Sequence, residues 1–141
     1  MVMTNEERLL ELVAETRERW LTRQRRHVPS FGGKPLYIWS AQRIPRWETL
    51  DRFNGVLGYD LSLVIDNGQQ KTVVMPVSQH ITREIFCQLE WRGLTRKELC
   101  SAAKLSKSSL TGYATGTEHP LPLTTVRIFD ALGCHLSYQF D

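Results

Sequence analysis

The sequence predicts a mainly α-helical protein made of two tandem helical units, each ending in a β-strand, with the two strands paired in a small sheet. Three observations predict it: an internal repeat, apolar residues at helical spacing between capping signals, and a short alternating segment at the end of each repeat. The chain has 141 residues, which is enough for one ordinary domain or two very small ones. Its hydrophobic content of 41% and charged content of 23% are typical of a folded, soluble protein.

The repeat is visible without gaps. The segment PRWETLDRFNGVLGYDLSLVI, residues 45–65, aligns with PLPLTTVRIFDALGCHLSYQF, 75 positions later. Seven of the 21 positions are identical, whereas unrelated segments of average composition share about one. The identical pairs are Pro45/Pro120, Thr49/Thr124, Arg52/Arg127, Leu57/Leu132, Gly58/Gly133, Leu61/Leu136 and Ser62/Ser137. We therefore predict a first copy over residues 1–66 and a second copy over 78–141, joined by a turn or linker over 67–77.

The second copy shows four successive helix signals. The segment SQHITREIFCQLEWRG has its apolar residues on one stripe, and Ser78 or Thr82 can cap its start. The next helix begins at Thr95, with Glu98 three residues on, which is a capping box. A third segment, SKSSLTGYATG, can be capped by Ser106. The fourth, LTTVRIFDALG, leads into CHLSYQF, whose alternation predicts a strand.

Two short helices joined by a tight turn indicate helix-turn-helix organisation. The residues RGLTRKELCSAAKLSKSSLTGYATG, then P, then TTVRIFDALG, resemble the lambda-repressor-like (Cro/cI-type, XRE) helix-turn-helix family over about 53 residues, from Ile81 to Gly133. Ala114 departs from the family, which usually has an acidic residue there. Gly112 also departs, and a helical glycine costs about 1 kcal/mol; it can permit close approach to DNA or indicate a compromised DNA-binding helix. The terminal strand resembles that of HipB-type antitoxin repressors, which partner HipA-type kinase toxins and dimerise through it.

The resemblance implies that the helix over residues 106–111 enters the major groove, with Leu110 and Tyr113 facing inward. The candidate DNA-binding residues that it implies in the second copy are Thr95, Arg96, Lys97, Ser106, Lys107, Ser108, Ser109, Thr111 and Thr117. Lys107 can contact guanine or phosphate. The start of the preceding helix, at Thr95, favours phosphate.

The first copy is predicted to be a degenerate version of the same motif. Its helix ETLDRFNGVLG has Leu50, Phe53, Val56 and Leu57 on the core face. Its middle is irregular and very basic, with Arg26 where the second copy has the buried Leu99. The candidate DNA-binding residues of this copy are Arg25, Arg26, Lys34, Tyr37, Arg43 and Arg46.

Basic residues are clustered although the net charge is only +3. Between Arg17 and Arg52, nine Lys/Arg stand against three acidic residues, a net of +6. From Arg92 to Lys107, five stand against one, a net of +4. Two basic patches on a nearly neutral protein indicate contact with a polyanion.

The strand residues are candidates for a dimer or pseudo-dimer contact: Leu61, Leu63, Ile65, Leu136, Tyr138 and Phe140. Two arrangements are consistent with the sequence. In a pseudo-dimeric monomer the two strands pair within one chain, whereas in a homodimer each pairs across the molecular axis. After the turn DNGQQK, the segment TVVMPV is either a short strand antiparallel to LSLVI or a linker.

The sequence favours a sequence-specific DNA-binding transcriptional regulator, most simply a repressor, whose tandem helix-turn-helix units bind one operator. The alternative is an antitoxin or anti-activator module that binds a protein partner, with or without DNA binding. That alternative is based on the degenerate first copy and its aromatic residues Phe31, Tyr37, Trp39 and Trp47. Double-stranded DNA is the expected partner in the first case, and a toxin or another protein in the second.

Other functional classes lack their motifs. The sequence has no HExxH, P-loop, GxSxG or GxGxxG, so we expect neither an enzyme nor a cofactor. Three scattered cysteines, Cys87, Cys100 and Cys134, and four dispersed histidines predict neither a disulfide framework nor a metal site. No apolar run approaches the ~20 residues of a membrane helix, and the N-terminus lacks signal-peptide features. We therefore expect a cytoplasmic protein that does not bind membranes.

Overall fold

The computed structural model describes residues 3–24 and 44–141. Within these ranges the helices are α1 (Asn5–Gln24), α2 (Trp47–Val56), α3 (Ser78–Arg92), α4 (Arg96–Ala103), α5 (Lys107–Thr115) and α6 (Pro122–Ala131). The strands are β1 (Leu61–Asp66), β2 (Lys71–Val74) and β3 (His135–Phe140). They form one antiparallel sheet of order β2-β1-β3. The expected mainly helical chain with a small sheet is confirmed.

The pairing of β1 with β3 is symmetric under the 75-residue repeat. The inward-facing partners are Leu61↔Phe140, Leu63↔Tyr138 and Ile65↔Leu136. Adding 75 to Leu61 gives Leu136, and subtracting 75 from Phe140 gives Ile65, so the first pair maps onto the last. Leu63 and Tyr138 are 75 positions apart, so this pair maps onto itself and lies at the centre of the β1–β3 ladder. A two-fold axis through an isologous dimer contact produces this register. Here the pairing lies within one chain, as in the first of the two predicted arrangements.

The helix before each strand also repeats. Both ends of α2 and α6 differ by the same 75 positions. Each helix has a C-cap leucine whose backbone is in the right-handed helical conformation, Leu57 (φ −77°, ψ −4°) or Leu132 (φ −84°, ψ −1°). Each leucine is followed by a glycine whose backbone has a positive φ, in the left-handed region, Gly58 (φ 88°) or Gly133 (φ 71°). Because glycine adopts this conformation without a Cβ penalty, the shared Leu-Gly ends both helices in the same way.

The predicted turn between β1 and β2 is confirmed. The side chains of the last residue of β1 and of the residue after it stabilise the turn. Asp66 Oδ1 accepts from Gly68 N at 2.8 Å. Asn67 Oδ1 accepts from Gln69 N at 2.9 Å and from Gln70 N at 2.8 Å. These Asx contacts reverse the chain, so β2 pairs antiparallel to β1 at the edge of the sheet.

One hydrophobic core joins the two copies. The helix α1 packs against α2 of its own copy and against α6 and β3 of the other. Its buried side chains include Leu9, Leu12, Val13 and Trp20. The Trp20 ring meets Phe53 of α2 edge-on, with centroids 4.7 Å apart. Since burying each large apolar side chain contributes about 1.5–3 kcal/mol, α1 is a main source of cohesion between the copies.

A buried asparagine fixes the start of α1 on the second copy. Asn5 Nδ2 donates to Asp130 Oδ1 at 2.7 Å and to the Cys134 carbonyl at 2.8 Å. Its Oδ1 accepts from Leu136 N at 2.7 Å. The side chain therefore satisfies backbone groups at the turn between α6 and β3.

The start of α3 is capped from the first copy, which corrects one sequence prediction. Neither Ser78 nor Thr82 caps this helix; Val77 occupies the N-cap position without a side-chain bond. Instead, Ser78 N donates to Glu48 Oε1 of α2 at 2.7 Å. Burial favours the neutral form of Glu48, but hydrogen bonds from Ser78 and from the Glu48 backbone, together with the charge of His119, hold its pKa below the ordinary 4.5.

The buried face of α2 differs in one residue from the predicted face. Leu50, Phe53 and Leu57 are buried as predicted, but Val56 is 45% exposed. Asn54, four residues after Leu50 on the same face, is buried as well. Asn54 Nδ2 donates to Thr16 Oγ1 of α1 at 3.0 Å, so the buried face of α2 includes a polar contact.

We expect Asn5→Ala to lower the free energy of unfolding by about 2–4 kcal/mol, because it leaves a buried N–H and a buried C=O without partners. Urea denaturation of the full chain measures this loss. The neighbouring Glu6 is exposed, so Glu6→Ala is the matched control and should change stability little. Equal effects of the two substitutions would contradict the structural role of Asn5.

We expect Glu48→Gln to cost about 0.5 kcal/mol at neutral pH, a small value because the carboxylate is half-buried and screened by solvent. A carboxylate with a lowered pKa in the folded state stabilises it above the unfolded-state pKa. The difference between variant and wild type should therefore be full above pH 4.5 and disappear as the pH falls further. Unfolding free energies measured across this range check the prediction; a difference independent of pH would refute it.

Candidate nucleic-acid interface

Two short helices, α4 and α5, are separated by three residues, 104–106. Thr95 caps α4 with the predicted capping box. Its Oγ1 accepts from Glu98 N at 3.1 Å, and Glu98 Oε1 accepts from Thr95 N at 3.0 Å. These two bonds satisfy N–H groups at the helix start that have no intrahelical partner.

The turn between α4 and α5 has a left-handed residue that is not glycine. Lys104 has φ 55° and ψ 48°, a conformation that costs an L-residue about 1–2 kcal/mol. The N–H groups of Lys104 and Leu105 both donate to the Cys100 carbonyl, the latter at 2.9 Å. Ala103 is buried at the turn, and Leu105 packs against the core. Packing and backbone bonds therefore hold the angle between α4 and α5.

The inner face of α5 is anchored and its start is capped. Leu110 and Tyr113 are buried, which confirms the predicted inward face. Ser106 Oγ accepts from Ser109 N at 3.1 Å and lies 2.9 Å from Ser109 Oγ. The hydroxyls of these two serines are therefore engaged in the cap, and Ser109 is half-buried.

The outer face of α5 consists of exposed polar side chains. Lys107, Thr111 and Thr115 follow one another at four-residue spacing, and all three are exposed. Thr111 Oγ1 donates to the Lys107 carbonyl and Thr115 Oγ1 to the Thr111 carbonyl, both at 3.0 Å. Each hydroxyl keeps lone pairs that can accept a further hydrogen bond. An open groove on this face is lined by Lys107, Ser108, Thr111, Gly112, Thr115, Thr117 and Glu118.

Two residues of this groove, Thr115 and Glu118, are not among the residues predicted from the sequence. Thr115 lies four residues after Thr111, so helical spacing could have revealed it. Glu118 lies beyond the end of α5, which Gly116 terminates with φ 79°. Only the fold of the following loop brings Glu118 back to the helix.

Gly112 makes this return possible. Its carbonyl accepts from Thr117 N at 3.0 Å and from Glu118 N at 3.1 Å. A Cβ at position 112 would overlap the Glu118 carboxylate and would lie 2.9 Å from its Cγ. The close approach that Gly112 permits therefore includes a side chain of this protein.

The basic residues of the second copy have different roles. Arg96, Lys97 and Lys107 are exposed around α4 and α5. The Arg96 guanidinium lies 5.2 Å from the Phe86 ring centroid, a cation–π distance. By contrast, Arg92 Nε donates to the Leu132 carbonyl at 2.7 Å, so this cation stabilises the end of α6.

The predicted site residues of the first copy fall mostly outside the described ranges. Those outside are Arg25, Arg26, Lys34, Tyr37 and Arg43, together with the aromatic residues Phe31 and Trp39. Arg46 is exposed just before α2. Trp47 is 2% exposed, and its Nε1 donates to Thr125 Oγ1 of α6 at 3.0 Å, so it is a core residue that links the copies.

Comparison with known proteins gives no significant match to a protein-family model, a curated protein or a solved structure. Over residues 3–24 and 44–141, every helix is too short or too polar to span a membrane. In the same part of the chain, no three His, Cys, Asp or Glu side chains gather where a metal ion could bind.

We expect Gly112→Ala to stabilise the protein by about 1 kcal/mol when Glu118 is also alanine, because alanine favours the helix and the overlapping carboxylate is gone. With Glu118 present, this gain should be smaller or reversed. A double-mutant cycle of unfolding free energies measures the difference. Additive effects of the two substitutions would show that the side chains do not meet.

Proposed function

We propose that this protein is a sequence-specific DNA-binding transcriptional regulator, most simply a repressor, that inserts α5 into the major groove. The observation that carries the proposal is the α4–turn–α5 unit, with Leu110 and Tyr113 buried beneath and Lys107, Ser108 and Thr111 exposed above. The major groove is about 12 Å wide and admits one α-helix. Lysine can donate to guanine O6 or N7, and hydroxyls can donate or accept.

Phosphate contacts would come from the residues around the start of α4. Arg96 and Lys97 are exposed in its first turn. The N-terminal end of a helix carries a partial positive charge that favours an anion. Together they supply affinity that is independent of sequence and falls with salt.

The symmetric β1–β3 ladder supports binding of one operator by both copies. A homodimeric repressor places two DNA-binding helices on half-sites about 34 Å apart, across a two-fold axis. In this chain the register of β1 with β3 gives a corresponding axis for the α2–β1 and α6–β3 segments. Because their sequences differ, we propose a pseudo-dimer that binds an asymmetric operator. The protein-binding alternative gains no support from the part of the chain that is described, where Trp47 is buried.

We expect the double substitution Lys107→Ala, Ser108→Ala to lower discrimination between operator and altered operators by about 1–3 kcal/mol for each lost base contact. Arg96→Ala should weaken binding to all duplexes alike and reduce the slope of log K against log salt by about 1. Gel shifts or fluorescence titration with selected duplexes measure both effects.

The control is Lys71→Ala, which removes an exposed cation from β2 in the sheet and should leave specificity unchanged. Failure of the wild-type chain to shift any genomic fragment at low salt would refute the proposed function.

A further inference from the structure

The carboxylate of Glu118 lies beside the hydrogen-bond donors on the outer face of α5. The groove on this face is lined by the lysine and the hydroxyl residues of α5 and also by Glu118. Glu118 is exposed. An acidic residue beside a DNA-binding helix would repel phosphates, so its place in this groove needs a specific reason.

The backbone of Glu118 is held against α5, and its side chain lies over Gly112. Its backbone N–H donates to the Gly112 carbonyl, and its side chain fills the space where a Cβ at Gly112 would lie. Thr117 N donates to the same carbonyl, so two bonds hold the loop on α5. The Glu118 charge also affects Tyr113 on the inner face of α5. Burial raises the pKa of Tyr113, and the negative charge of Glu118 raises it further.

The chemistry of a carboxylate selects its partner. Ionised glutamate only accepts hydrogen bonds, whereas Lys107 only donates them. In the major groove, cytosine N4 and adenine N6 are the donors. Adenine N6 is flanked by the acceptors N7 and thymine O4, which repel a carboxylate, whereas cytosine N4 has one neighbouring acceptor, guanine O6.

We propose that Glu118 recognises a cytosine of the operator by accepting a hydrogen bond from its N4 amino group, and that Gly112 is required for this position. The inference rests on the proposed function, because it assumes that α5 occupies the major groove. It makes Glu118 a specificity-determining residue outside the helix.

Selection from a pool of randomised duplexes with the full wild-type chain is the first step. We expect the selected sites to share a C·G pair at one position. In Glu118→Gln, discrimination for cytosine over the other bases at this position should fall by about tenfold or more. Preference should move toward adenine, because glutamine can bind adenine N6 and N7 together. Other positions should be unaffected.

Two further variants separate the inference from simple misfolding. Gly112→Ala displaces the Glu118 side chain, so it should lose the same cytosine preference, and adding it to Glu118→Gln should cause no further loss. Lys107→Ala should weaken binding but keep the cytosine preference. Thermal unfolding confirms that each variant is folded before its binding is compared.

The outcomes are distinguishable. If Glu118→Gln binds every duplex more tightly by the same factor, Glu118 only repels phosphates and the inference is wrong. An unchanged base profile in this variant also overturns it. If the wild-type chain selects no sequence at all, the proposed function itself fails, and this is seen before any variant is made.

Discussion

The antiparallel pairing of β1 with β3 is the contact on which the rest of the structure depends. A lone strand exposes unpaired N–H and C=O groups along its edges, and each copy supplies one strand to satisfy the other. The self-symmetric register centres the contact on Leu63 and Tyr138. Since α2 packs on β1 and α6 on β3, the ladder also fixes how the helices of the two copies lie.

Polar contacts then make this arrangement specific. Asn5 bonds to Leu136, Trp47 to Thr125, and Ser78 to Glu48. Each of these bonds joins residues of different copies. Apolar packing alone tolerates small shifts, whereas a buried donor that loses its acceptor costs about 1–3 kcal/mol. The two copies consequently share one hydrophobic core and are not independent domains.

The same constraint shapes the α4–turn–α5 unit. Because Leu99, Leu110 and Tyr113 are anchored in the core, the opposite sides of both helices are exposed to solvent with their cations and hydroxyls. The loop after α5 folds back over Gly112 and adds a carboxylate to that surface. The groove thus presents hydrogen-bond donors of α5 beside an acceptor from the following loop.

The sequence by itself determined the local features: the capped starts at Thr95 and Ser106, the glycine that ends α5, the repeated Leu-Gly before each strand, and the two strands. These depend on residues within about four positions of one another, so pattern and spacing suffice. Only the tertiary structure decided that Glu48 caps α3, that Asn54 and not Val56 is buried, and that Glu118 joins the outer face of α5. Such contacts join residues that are distant in sequence or separated by a loop, and their geometry follows from packing, which no local pattern encodes.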